Sequence, residues 1–199
     1  MTLLIHWTPA FHEQAHVGIR AQALADGAAL SALGVDYGAW HTAVADLPRA
    51  RNHAVEHAIK NHADYLVMQD ADVVPIGHES AIGRMLETAR ATESCVVAAI
   101  CRLRHGDKIN TRDLPSAPGG PVSGIGAGLM MIHIPQLVAR AESANYSGPW
   151  FENVYADERH SLLERGEDLY FCRLVRQLGG VTWADVRIAT DHDGRVYAP

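Results

Sequence analysis

Cysteine is scarce in this chain. Cys95, Cys101 and Cys172 are the only three in 199 residues, they lie in apolar surroundings, and none forms a Cys-x-x-Cys pair. An odd number so placed argues against a disulfide framework and for reduced, buried thiols in a cytosolic setting. Positive charge is also lacking. The formal net charge of −6 excludes the global field of a nucleic-acid coat protein, although a local basic patch could still touch phosphates. The apolar start Leu3-Leu4-Ile5 is broken by His6 and has no basic leader, so neither a signal peptide nor a membrane span is expected, and the expected location is cytoplasmic. No low-complexity tract and no repeat is found, which leaves one ordinary core and a single domain over residues 1–199 as the expectation.

What is present is organised around Tyr65-Leu66-Val67-Met68-Gln69-Asp70-Ala71-Asp72-Val73-Val74-Pro75. A short apolar run rich in strand formers ends in two carboxylates and a proline, which predicts a buried strand delivering its carboxyl end into a site. Side chains alternate along a strand, so Asp70 and Asp72 are expected to point the same way if the extended geometry persists through Ala71. Paired carboxylate oxygens suit a hard divalent cation, Mg²⁺ or Mn²⁺. An isolated Asp-x-Asp is equally read as a turn former.

Around this strand the pattern alternates. Residues 2–7 predict a first strand ending at Thr8-Pro9, and residues 12–33 an amphipathic helix stopped by Gly34. Residues 35–44 predict a second strand, and Pro48 opens a helix over residues 49–61. Arg49, Arg51 and Asn52 lie in its first turn, where cations oppose the helix dipole unless an anion is near. A helix over 78–91 and an apolar strand over 95–101 follow, then an aperiodic stretch over 102–123 that predicts a long loop. Gly126 and Gly128 precede a buried strand, glycines that let a backbone approach something closely, yet no P-loop Lys-Ser/Thr follows them. A short helix is predicted over 135–144, and Glu167-Asp168 head an amphipathic helix that stops at Gly179-Gly180. A strand is predicted over 181–188, then a polar tail containing His192. Alternation of this kind implies an α/β fold with a mainly parallel twisted sheet, helices on both faces, and ligands at the carboxyl ends of the strands.

Taken together, in this order, these pieces resemble the GT-A family of nucleotide-sugar glycosyltransferases, especially its small bacterial and phage-like members. The resemblance runs through Thr8-Pro9, Ala50-Arg51-Asn52, Asp70-Ala71-Asp72, the glycines at 126 and 128, Glu167-Asp168 and the late His192. It implies that Asp70 and Asp72, with Ala71 between them, hold a divalent cation and the diphosphate of a nucleoside-diphosphate sugar, with His192 completing the metal site. Thr8 and Pro9 would line the nucleoside pocket, Arg51 and Asn52 would flank the nucleotide, and Gly126 and Gly128 would lie beside the donor. Asp168 would take the acceptor hydroxyl's proton, with Glu167 the less favoured candidate for that role. The phage-like resemblance makes a hydroxymethylated base in DNA a candidate acceptor, in the host cytoplasm if the protein is phage-encoded, and a basic stretch carrying Arg102, Arg104, Lys108 and Arg112 could meet its phosphates.

Three other readings compete. Asp70-Ala71-Asp72-Val73-Val74 also fits the opening motif of haloacid-dehalogenase-like phosphatases, with Asp70 as nucleophile and Asp72 as acid/base, but only Lys108 follows where that family looks for a lysine. His53-Ala54-Val55-Glu56-His57 is a literal His-x-x-Glu-His, a zinc-peptidase motif in inverted form, but the helix's apolar stripe leaves these residues on its wet side and they are better read as a solvated face. Finally, the chain could be a nucleotide-sugar-binding module without turnover, against which stands the presence of every carboxylate the chemistry needs.

Overall fold

A computed structural model describes residues 2–10, 17–43, 46–77, 80–103, 108–111, 113–157, 163–192 and 195–197. Strand β1 (Thr2–Ala10) is followed by α1 (Val17–Ala32), β2 (Val35–Ala43) and α2 (Leu47–Lys60). The central strand β3 (Tyr65–Gln69) gives way to a short β4 (Val73–Pro75), then α3 (Ala81–Thr92) and β5 (Val96–Ala99). After β6 (Gly119–Pro121) come β7 (Leu129–His133), α4 (Ile134–Ser143), β8 (Val154–Tyr155), β9 (Leu163–Arg165) and α5 (Glu167–Gln177). The chain closes with β10 (Thr182–Asp185), β11 (Thr190–His192) and β12 (Arg195–Tyr197).

Seven strands form one sheet in the order β2-β1-β3-β7-β5-β10-β6. β2, β1, β3, β5 and β10 run the same way, while β7 and β6 run against them. The sheet is therefore mainly parallel, as its alternating sequence implies. The antiparallel β7 sits in its middle, between β3 and β5, and an apolar pentapeptide does not reveal its direction locally.

Every residue of β3 is buried, because helices cover both faces of the sheet. Leu66 and Met68 join the core beneath α2, α4 and α5, with Ala54, Val55, Leu137, Phe171 and Val175. Tyr65 and Val67 alternate to the other face and pack with Leu30 of α1 and Ile82, Met85 and Leu86 of α3. Local chemistry sets the helix starts. Asp46 caps α2 by accepting from the Arg49 N–H, and Ser80 caps α3 by accepting from Gly83. No helix among the described residues is long and apolar enough to cross a membrane.

Several boundaries depart from the sequence expectation. β1 continues past Thr8-Pro9 to Ala10, because β2 keeps pairing through Ala10↔Ala43 while β3 pairs only with Leu4–Trp7, so Pro9 lies where one flank of the strand is open. Residues 12–16, 44, 78 and 79, at the ends of expected elements, lie outside the described residues. The expected loop over 102–123 contains β6 and two isolated bridges, Arg102↔Ile109 and Thr111↔Ile125. The strand expected to reach Ile188 stops at Asp185, whose carboxylate accepts from the Arg187 N–H and turns the chain. What reads as a polar tail is β11 and β12, in a three-stranded sheet with β4.

Candidate active site

β3 ends at Gln69 and the chain turns: the Val73 N–H donates to the Asp70 carbonyl at 3.1 Å, and the Gln69 side-chain amide spans the turn to the Val73 carbonyl at 2.7 Å. The extended geometry expected through Ala71 is thus absent, and Asp70 and Asp72 take different partners. Asp70 accepts from the Arg51 guanidinium at 2.9 Å. Asp72 lies 3.4 Å from Nε2 of His192. That second contact is made by the small sheet, whose register His192↔Val73 seats the histidine beside the turn.

Arg51 binds the site together. It is 2% exposed, and its other terminal nitrogen donates to Glu167 at 2.5 Å, so one guanidinium joins the turn after β3 to the head of α5. Position 51 shares the α2 face of Ala54, Val55 and Ala58, all buried, which carries it into the protein instead of into water. Burial alone would lower the Arg51 pKa. The fields of Asp70, Glu167 and Asp168 overcome that and raise it. Burial pushes the Asp70 carboxyl up against the pull of Arg51, with Asp72 and Asp168 adding to the rise. Glu167 is likewise raised, by burial first and then by Asp168 and Asp70, against the pull of Arg51. Three carboxylates therefore act on one cation, with Asp72 next to them, and their excess charge favours a further cation.

His192 fits such an ion. Nδ1 lies 2.6 Å from the Arg102 carbonyl, which can only accept, so Nδ1 donates there and Nε2 is the nitrogen turned toward Asp72. Nε2 and the Asp72 carboxylate, 3.4 Å apart, can share a proton or a metal ion. Among the described residues no three His, Cys, Asp or Glu side chains form a ready group for an ion. A hard cation that takes one or two protein ligands and completes its shell with substrate phosphates does not require one.

Other expected site residues serve the scaffold. The Asn52 amide is saturated: it donates to the Pro48 and Phe151 carbonyls and accepts from the Trp150 and Phe151 N–H groups, fastening residues 150–151 to α2. Its hydrogen-bonding capacity is thus spent within the protein. Gly126 and Gly128 are approached closely by protein groups. A Cβ on Gly126 would lie 3.2 Å from Oδ2 of Asp168, and one on Gly128 would lie 3.2 Å from Val73 and 3.3 Å from Cys101. The two glycines thus let α5 and the acidic turn close on the segment leading into β7. Thr8 and Pro9 are buried at the carboxyl end of β1, and Ala71 is half-buried in the turn. Glu167 also borders an open cleft of about 650 Å³, shared with Asp46, Pro48, Phe151 and Tyr155. The His-x-x-Glu-His residues lie elsewhere, with His57 stacked on Trp40 at 4.6 Å and His53 tilted against the same ring. Lys108 is exposed in the loop after β5, and Arg104 and Arg112 lie outside the described residues.

No protein-family model matches the chain, and no curated protein matches its sequence. Solved structures do match. A197 from STIV has a TM-score of 0.61 at 18% identity, over 96% of this chain and 85% of that one. A UDP-glucose pyrophosphorylase complexed with UDP-glucose has 0.53 at 9% identity, over 98% and 94%. The UTP-bound UGPase from Acinetobacter baumannii has 0.54 at 9% identity, over 98% and 89%. At such identities the likeness establishes the fold alone, a GT-A-like α/β fold.

Proposed function

We propose that residues 1–199 form one glycosyltransferase domain that, with Mn²⁺ or Mg²⁺, moves a sugar from a nucleoside-diphosphate sugar to an acceptor hydroxyl. The observation that carries this reading is the buried Arg51 bridge, which fixes Asp70 and Glu167 to one cation and so holds the Asp-x-Asp turn and the head of α5 at one centre. Asp70, Asp72 and His192 are the residues to hold the metal. Bound there, it would neutralise charge building on the departing nucleoside diphosphate. Asp168 stands at the first turn of α5, its Oδ1 accepting the Leu169 N–H at 2.7 Å and Oδ2 turned toward Gly126. In the transfer, the acceptor oxygen bonds to the anomeric carbon, its proton passes to the Asp168 carboxylate, and the bond to the diphosphate breaks with its electrons leaving on the nucleotide. Glu167, spent on Arg51, positions instead of accepting.

The likeness to pyrophosphorylases supports a second reading, nucleotidyl transfer. There the attacking group is a phosphate, already anionic, which gives Asp168 nothing to deprotonate. The free, buried thiols support a cytoplasmic setting. The basic stretch after β5 supports phage DNA as an acceptor. Incubating the protein with nucleoside-diphosphate sugars and Mn²⁺ tests the main proposal: release of nucleoside diphosphate, abolished by excess chelator, is expected. Release of pyrophosphate from a nucleoside triphosphate and a sugar phosphate would favour the second reading. Binding of a nucleotide sugar without turnover would leave a binding module.

A further inference from the structure

One face of α5 carries Leu169, Arg173 and Arg176 at helical spacing, away from its buried stripe of Phe171, Cys172, Leu174 and Val175. These three, with Arg165 just before the helix and with Ser123 and Gly124, line a cavity of about 270 Å³. Three arginines thus line one cavity in a chain whose net charge is −6. Among the described residues neither Arg173 nor Arg176 has an ion-pair partner, and Arg165 has only Glu164, 3.7 Å away and 54% exposed, which is a weak pair. Ser123 of the lining donates its N–H and hydroxyl to Asp113. Like charges gathered this closely repel one another, and a shared anion relieves the repulsion.

The cavity is tied to Asp168. At one end of Gly124-Ile125-Gly126 a Cβ would meet Leu169 at 2.9 Å beside the arginines, and at the other a Cβ would meet the Asp168 carboxylate. Two residues of extended chain span about 7 Å, the length of one sugar unit bearing a phosphate. We propose that this cavity is an anion subsite holding a phosphate group of the acceptor, which thereby presents its hydroxyl to Asp168. The proposal rests on the glycosyltransferase reading for the word acceptor, but the anion site stands on its own geometry. Planar guanidinium forks suit the oxygens of a phosphate group. A sugar phosphate and the backbone of a nucleic acid both supply that chemistry.

Calorimetry on the full chain distinguishes them, with glucose, glucose 6-phosphate and a single-stranded oligonucleotide as probes. Glucose 6-phosphate is expected to bind and glucose not, with the Arg173→Gln/Arg176→Gln double variant at least about tenfold weaker. Arg176→Glu, at an exposed position in the last turn of α5, replaces the double variant if that one does not fold. Binding confined to the oligonucleotide, with a steep salt dependence that the variants flatten, upholds the subsite and identifies the source as a nucleic-acid backbone. Equal affinity in wild type and variants, or no binding of either phosphate-bearing probe at about 10 mM, overturns the proposal. None of these measurements involves the donor. Absence of metal-dependent nucleoside-diphosphate release would therefore overturn the glycosyltransferase reading while leaving the anion site to its own result.

Discussion

Two aspartates at the carboxyl ends of strands running the same way meet opposite fates. Asp185, at the end of β10, is fully buried, and both its oxygens are used twice. Oδ1 accepts from the Arg187 N–H and Nε, and Oδ2 from Arg187 Nη2 at 2.6 Å and the Thr88 hydroxyl at 2.7 Å. Burial alone would raise its carboxyl, but these hydrogen bonds overcome that and hold it below the ordinary range. Asp70, one residue past β3, is 31% exposed, shares a single arginine with Glu167, and is held above the ordinary range. The first carboxylate is saturated and pins α3 to the sheet. The second keeps negative charge in excess, which a cation would neutralise.

The largest expected effects fall on the unsaturated side. Asp168→Asn should retain donor binding and lose about 10²–10⁴-fold in turnover, the usual worth of a positioned proton acceptor, as single-turnover kinetics would show. If a Glu167→Gln variant suffered that loss and Asp168→Asn did not, the two roles would exchange. Asp72→Ala should abolish metal-dependent turnover with an unchanged far-UV spectrum and thermal midpoint, since it removes a proposed ligand and no core packing. Full turnover in excess chelator would refute this.

On the saturated side the balance inverts. Asp185→Ala strands the Thr88 hydroxyl and the Arg187 donors, and should cost about 2–3 kcal/mol in denaturant unfolding. The surviving folded fraction should bind nucleotide sugar as wild type does. His192→Ala is a smaller change: one ligand of several is lost, so metal affinity should fall about 10–100-fold by titration while saturating Mn²⁺ restores turnover.

The Asp70 side of this contrast was legible in the sequence, and what was not has identifiable causes. The β3 strand, the Asp-x-Asp motif and the helix headed by Glu167-Asp168 stand out because burial on both faces and amphipathic spacing leave local patterns. Arg51 reads as solvated or nucleotide-flanking, yet its position on the stripe of Ala54, Val55 and Ala58 was a signal of burial. The turn at Asp70–Asp72 was hidden, because the Gln69 bridge to Val73 that spans it is a tertiary feature of an otherwise strand-like run. The strands that deliver His192 were hidden too. They are three residues long and polar, and only their pairing with β4 makes them strands.

The opposed shifts at the two aspartates give the last expectation, a difference in pH response. Asp185, lowered in the folded protein, contributes stability that is present above its unfolded pKa of about 3.9 and is lost as pH falls through its folded value. Asp70 and Glu167 are raised, so their contribution is present below their unfolded pKa values, about 4, and is lost as pH rises through their folded values. Cation-free protein should therefore lose stability on both sides, in acid through Asp185 and with rising pH through the crowded carboxylates. Asp185→Asn should flatten the acid limb only, and Asp70→Asn the upper limb only, in thermal midpoints followed across pH. Mn²⁺ favours the ionised carboxylates, so at about 100 times its dissociation constant it should add about 2.7 kcal/mol at neutral pH and progressively less in acid. A cation effect of equal size at every pH, or one that survives Asp72→Ala undiminished, would place the ion somewhere other than the turn after β3.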